Sequence, residues 1–290
     1  MNRHIISLTL RIVLGLNFLF VSIAHLKFWK FYLEDPAKIT SWITNISMLS
    51  NIIAFGFLIT SIFLLIGYKT IWATLSAIAL LLINHIALLF TEPANEPFNG
   101  PFYNSFHHSV PFFGFSIILL YVISAKNDFS IDRLLKLNEN ELTSQTKNEI
   151  VFLAARIFVG TIFFVQGYHL LTGKTTLISF AENVYVKSYE MTFIPKFLLW
   201  FMGLANPWIL SIGGALLTVG LKTKWIAYIL AFFMISISFG HLLGDPYETT
   251  GDISMYGFNN LAFIILILWL ENGQNKYNID MLLRKPQLQT

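Results

Sequence analysis

The chain has 290 residues, of which 55% are apolar and only 12% are charged, and it contains no cysteine. Soluble domains carry about a quarter charged residues, so this composition excludes an ordinary soluble protein. The lack of cysteine excludes thiolate metal ligation and iron–sulfur ligation by this chain, and a formal net charge of +3 gives no indication of a nucleic-acid partner.

Eight apolar runs follow one another along the chain, and each is about long enough to cross a hydrocarbon layer of roughly 30 Å. They lie near residues 8–26, 49–66, 71–90, 107–124, 151–171, 207–221, 225–243 and 257–271. None alternates polar and apolar residues as a membrane barrel strand does, and backbone amides in lipid must bond internally. The sequence therefore predicts an all-α integral membrane protein with eight transmembrane helices.

The two halves of the chain repeat the same short stretches in the same order. The matched pairs are "RIVLGLNFLFVS" and "RIFVGTIFFVQG" from Arg11 and Arg156, "GYKTIWATL" and "GLKTKWIAY" from Gly67 and Gly220, and "SIDRLL" and "NIDMLL" from Ser130 and Asn278. These pairs predict one four-helix unit in residues 1–125, a linker in 126–149 and a second four-helix unit in 150–290. Because four is an even number, both units should enter the membrane from the same side, as parallel repeats do.

Lysine and arginine near the ends of the runs predict the orientation. They gather at both termini, in the two Gly-x-Lys-Thr turns and in the linker, which the eight-helix arrangement places on one side. The positive-inside rule makes that side cytoplasmic, so both termini should be cytoplasmic. The aromatic stretch "FIPKFLLWFMGLANP", from Phe193, predicts a helix lying along the opposite surface before the sixth span.

Six of the seven histidines fall near the outer ends of the first, third and fourth helices of the two halves. They are His25, His85, His107, His108, His169 and His241. Imidazole can bind haem or a metal, and it can exchange the protons of a quinone, so these residues are candidates for cofactor binding. Histidine is also common as an interfacial residue, and this second interpretation stays open.

Acidic residues lie in the adjoining outer loops. They are Glu92, Glu96, Asp245, Glu248 and Asp252. These carboxylates could relay protons or hold a divalent cation, although acidic outer loops also follow from the positive-inside bias alone. Arg11 and Arg156 begin the repeated stretches and should anchor the inner ends of their helices. The sequence identifies neither a catalytic residue nor a particular metal.

The second half of the chain combines several motifs: Arg156, Gly160, Phe163 and Gly167, the paired Gly213 and Gly214, "GLKTK", and the closing Ile-Asp-x-Leu-Leu. Together these motifs resemble the bacterial DoxX family. It implies a multi-pass protein of the bacterial cytoplasmic membrane, built here from two DoxX-like units. Family members related to DoxD and DoxX resemble the membrane subunits of thiosulfate:quinone oxidoreductase, and others resemble components of redox assemblies.

The resemblance implies a membrane subunit of a redox system that is linked to quinone, with a soluble or membrane protein as its partner. A haem is a further cofactor that the histidines would allow. Distant eukaryotic relatives resemble assembly chaperones and cargo receptors, so the alternative is a non-catalytic scaffold or assembly factor for membrane or secreted proteins. A transporter is less favoured, because no charged residue is expected at mid-membrane depth.

Overall fold

The protein is described from a computed structural model, which covers residues 3–26, 47–91, 101–123, 130–135, 142–172, 176–244, 250–271 and 278–280. Within these ranges the regular structure is entirely helical, which confirms the all-α prediction. The chain forms two compact units, Met1–Lys147 and Asn148–Thr290.

The first unit is a four-helix bundle. Its helices are α1 (Arg3–His25), α2 (Ser47–Ile66), α3 (Thr70–Thr91), α4 (Pro101–Val122) and the short α5 (Ile131–Leu134). Helix α1 packs against α2 and α4, and α3 packs against the same two helices, which closes the bundle. Phe18 of α1 stacks on Phe57 of α2 with ring centroids 4.8 Å apart, and both side chains are fully buried.

The second unit holds four long helices and a short folded segment. Its helices are α6 (Ser144–Thr172), α7 (Leu177–Phe180), a π-helix (Ala181–Lys187), α8 (Lys196–Val219), α9 (Thr223–Gly244) and α10 (Thr250–Leu270). Helices α6 and α8 approach so closely that a Cβ atom added to Gly160 would lie 2.9 Å from the carbonyl oxygen of Gly214. Small residues at such contacts allow helices to pack in a membrane, where apolar burial alone gives little drive for association.

Five helices in the described part of the chain are long and apolar enough to cross a membrane. Their apolar stretches are His4–Ile23, Met48–Ile66, Thr70–Ala87, Ser144–Thr172 and Lys196–Val219. Shorter apolar stretches occupy α4, α9 and α10, at Val110–Val122, Thr223–Ser236 and Asn260–Leu270. Many large apolar side chains point outward, such as Phe20 at 64% and Phe232 at 71% exposure, as expected for surfaces that face lipid.

The predicted surface helix before the sixth span is wrong. Residues Lys196–Val219 form one continuous helix, although Pro207 lies inside it. Contacts explain this continuity, because α8 packs along its length: Gly203 lies against Ala181, and Gly214 lies against α6. The apolar helix therefore begins at Lys196 and not near residue 207.

The turns α2–α3 and α8–α9 have the same backbone form. Gly67 and Gly220 adopt positive φ values of 69° and 77°, and Lys69 and Lys222 follow with 43° and 48°. In each turn, the amide after the glycine bonds to the carbonyl five residues earlier, at 2.9 Å for Tyr68 and 3.0 Å for Leu221. Both helices thus end in the glycine motif that the sequence predicts.

Candidate functional site

In the first unit, Arg11 lies buried beneath the α2–α3 turn. It is 1% exposed, and its Nε donates to the carbonyl of Leu64 at 3.1 Å. The Asp132 carboxylate is near enough to interact electrostatically with the Arg11 guanidinium. The same carboxylate accepts hydrogen bonds from the backbone N of Lys69 at 2.8 Å and of Thr70 at 3.3 Å. Asp132 therefore joins α5 to the start of α3 beside a buried positive charge.

Arg156 occupies the corresponding place in the second unit. It is 2% exposed, and its guanidinium donates to the side chain of Asn278. Glu271 and Asp280 both interact electrostatically with it. The backbone N of Asp280 donates to the carbonyl of Gly220 at 3.4 Å, as Asp132 does to Gly67 at 3.3 Å. In each unit, a buried arginine lies near the glycine turn, and the Ile-Asp segment bonds to that turn.

A polar pair lies inside the apolar span of α3. Asn84 is 0% exposed and His85 is 1% exposed, and both belong to the stretch Thr70–Ala87. Polar side chains within a membrane span carry a large desolvation cost, and they generally mark a functional position. Of the six candidate histidines, His85 is the one whose described side chain is buried.

The other predicted histidines have different surroundings or lie outside the description. His25 and His169 are half-buried, and the His169 ring lies 6.0 Å from the Tyr168 ring. The side chains of His107, His108 and His241 lie outside the described part, although their backbones are helical.

The acidic candidates lie mostly beyond the described ranges. Glu92, Glu96, Asp245 and Glu248 are outside them, while Asp252 lies in α10 with an undescribed side chain. Within the described residues, no three His, Cys, Asp or Glu side chains come together to hold a metal ion.

A second buried polar pair joins the π-helix to α8. Asn206 Nδ2 donates to the hydroxyl oxygen of Tyr185 at 2.7 Å, and the two side chains are 5% and 8% exposed. Burial raises the pKa of the Tyr185 phenol well above its ordinary value, Tyr189 raises it further, and the bond from Asn206 opposes these effects. The phenol therefore remains neutral near pH 7.

The segment that carries Tyr185 has its own apolar core against α6 and α8. Phe180, Tyr185, Val186 and Tyr189 pack with Leu170 and Leu199. A Cβ atom on Gly203 would lie 2.8 Å from Ala181, so only glycine admits the π-helix at this distance. Single-turn π-helices are rare and frequently occur at functional sites.

The comparison with protein families gives one match. The family model described as DoxX matches residues 151–241. Residues 151–241 of this chain are therefore similar to a DoxX domain. This match confirms the resemblance that the sequence motifs predict. No curated protein and no solved structure matches the chain.

The DoxX domain extends from within α6 to the later part of α9, and it contains Arg156, His169, Tyr185 and Asn206. Sequence reasoning missed the last two, and it quoted the Ile-Asp motif without giving Asp132 or Asn278 a role. It also missed Asn84. A polar residue inside an apolar run was the available signal for Asn84. Asn206 offered no such signal, because it lies in the stretch that the sequence predicts to be a surface helix. No local sequence pattern indicated that Tyr185 would form a hydrogen bond with Asn206.

Proposed function

We propose that this DoxX-family membrane protein is the membrane subunit of a quinone-linked redox system. The supporting observation is the buried pair Asn84 and His85 within the apolar span of α3. An amide and an imidazole at this depth offer hydrogen bonds to a neutral head group that is dissolved in the bilayer. Polar side chains inside an apolar span generally mark a functional position, which makes this part of α3 the candidate site.

The chain's own residues would bind and orient the head group. A quinone, when bound, accepts two electrons and two protons to form a quinol. His85 can donate a ring N–H to an oxygen of the head group, or accept a proton at its other nitrogen. A soluble or membrane protein partner would exchange the electrons with the bound quinone.

The proposed architecture extends the five described spans to eight. Helices α4, α9 and α10 would supply the remaining three, because each contains a shorter apolar stretch. The two units would be parallel repeats that arose by duplication, with both termini in the cytoplasm of a bacterium and the protein in its inner membrane. Their matching arginine and glycine turns support this duplication.

Lipid extraction of the purified protein tests the redox proposal. We expect quinone to co-purify with the wild-type chain, and His85→Leu to reduce the quinone per protein about tenfold, since a lost buried hydrogen bond has that effect. His85→Gln should retain part of the binding because it keeps a donor and an acceptor. His4→Leu is the matched control, because His4 lies at the start of α1.

Absence of quinone from the wild-type extract, together with no binding of added short-chain benzoquinone, would contradict the proposal. Equal quinone content in wild type and a folded His85→Leu variant would remove His85 from the site.

A scaffold or assembly factor is the second candidate function. It is favoured by the exposed apolar side chains after the π-helix, where Met191 is 95% and Phe193 is 79% exposed. Such residues suit contact with another protein or with the membrane surface. This candidate predicts a co-purifying protein that is lost when Met191 and Phe193 are both changed to serine, with no dependence on His85.

A further inference from the structure

Asn206 has more hydrogen-bonding capacity than its described surroundings use. Its Nδ2 donates to Tyr185, but its Oδ1 is fully buried and has no hydrogen-bond partner within the described part of the chain. A buried acceptor without a partner costs about 1–3 kcal/mol. The position lies about 15 Å along α8 from its first residue, at 1.5 Å per residue, and therefore well inside the span.

Rotation of the amide does not remove this surplus. If the amide turns by 180°, the Tyr185 hydroxyl donates to Oδ1, and Nδ2 then points to the place that Oδ1 left. A primary amide offers both a donor and an acceptor, and Tyr185 engages one of the two at a time. In either orientation, one amide atom remains for a further group.

The surroundings restrict that group to a neutral molecule. Tyr185 packs against Phe180 and Tyr189, with ring centroids 5.9 Å and 6.3 Å away. The raised pKa of Tyr185 keeps the phenol uncharged, and burial of an ion beside apolar rings would be strongly unfavourable. Aromatic rings with one neutral donor–acceptor pair suit a planar molecule that carries a carbonyl or a hydroxyl oxygen.

We propose that Asn206 and Tyr185 bind a carbonyl or hydroxyl oxygen of a neutral molecule dissolved in the bilayer. With Nδ2 free, the amide donates to the carbonyl of a quinone; with Oδ1 free, it accepts from the hydroxyl of a quinol. The pair thus accommodates both redox forms without a change of charge. The choice of quinone rests on the proposed function, whereas the donor–acceptor pair also suits the ester carbonyl of a phospholipid.

The experiment uses the full chain in nanodiscs of diether phosphatidylcholine, which contains no ester carbonyl. One arm adds a short-chain benzoquinone or its quinol, and another replaces the diether lipid by diester phosphatidylcholine. The variant is Tyr185→Phe with Asn206→Leu, because replacing both partners by apolar groups is close to neutral for stability. The matched control is Asn183→Leu, an exposed amide in the same π-helix.

We expect benzoquinone and quinol to raise the Tm of the wild-type protein and of the control. When both chains also carry His85→Leu, so that only this site reports, the double variant should unfold at a similar Tm without ligand but bind either form about tenfold or more weakly. Tyr185→Phe alone should also weaken quinol binding. If the double variant does not fold, this single variant tests the proposal. Equal affinity in wild type and these variants would overturn the proposal.

The arms of the experiment distinguish a failure of this site from a failure of the proposed function. A Tm increase with diester lipid alone, which is lost in the double variant, would support the site with a phospholipid carbonyl as ligand and would contradict the quinone function. Quinone binding that depends on His85 but not on Asn206 would overturn the site and leave the function standing. No response of the wild-type protein in any arm would overturn the site.

Discussion

Arg11 illustrates how a single buried charge can organise local structure. A guanidinium in an apolar bundle must be paired and hydrogen-bonded, because an isolated buried ion is very unfavourable. Here Nε bonds to the Leu64 carbonyl at the end of α2, and Asp132 supplies the opposite charge. The carboxylate also bonds to the first backbone N–H groups of α3, where a negative charge stabilises a helix start. The Arg11 guanidinium and the Asp132 carboxylate therefore connect α1, α2, α3 and α5.

We expect Asp132→Ala to destabilise the first unit by about 2–3 kcal/mol, because several buried donors and the Arg11 charge lose their partner. Asp132→Asn should have a smaller effect, since an amide oxygen still accepts a hydrogen bond. Thermal unfolding in detergent measures both. Leu134→Ala, at an exposed position of the same short helix, is the control. An unchanged Tm for Asp132→Ala would show that the carboxylate contributes no stability.

At the scale of elements, the two glycine turns set the geometry between adjacent spans. Positive φ at Gly67 and Gly220 ends α2 and α8 within one residue, so the next helix begins after only three residues in each case. Trp72 and Trp225 follow the turns and are 66% and 70% exposed, as suits tryptophan side chains at a membrane–water interface. Each turn closes over the buried arginine of its own unit.

Gly67→Ala should destabilise the protein by at least about 1 kcal/mol, because positive φ strains a residue with a Cβ atom. The new Cβ would also lie 2.8 Å from the Arg11 guanidinium and from Ser130. Gly114→Ala is the matched control. Nothing lies within 4 Å of its added Cβ, and α4 should gain about 0.5–1 kcal/mol. Equal Tm changes in the two variants would contradict this account.

For the whole molecule, the described helices carry exposed apolar surfaces that suit contact with lipid. The proposed eight spans and cytoplasmic termini place Arg133 and Lys224 on one side and Met191 on the other. The chain contains no cysteine, so single cysteines can be introduced without removing any native one. All three positions are exposed.

Arg133→Cys and Lys224→Cys should react with a membrane-impermeant maleimide only after cell lysis, whereas Met191→Cys should react in intact spheroplasts. Gel-shift labelling with a maleimide polymer measures the three cases. The unmodified chain is the control and should not react. Labelling of Lys224→Cys in intact spheroplasts would refute the proposed topology, and labelling of all three from one side would refute the predicted number of spans.

The helices and turns were predictable because their causes are local in the sequence. Length and hydropathy determine where an apolar run can form a span, and a glycine followed by Lys-Thr determines where it stops. The start of α8 was missed because aromatic residues with a lysine suit a surface helix as well as a span. Packing of Gly203 and Gly214 along the helix decided between these two possibilities.

The sequence by itself therefore determined the class of protein, its helices and its DoxX resemblance. Only the tertiary structure decided which polar groups meet. Asn206 and Tyr185 are 21 residues apart, and Asp132 bonds to a turn 63 residues away. No local pattern specifies such pairs, because they form when separate helices pack and each buried polar group must find a partner or lose its hydration without compensation.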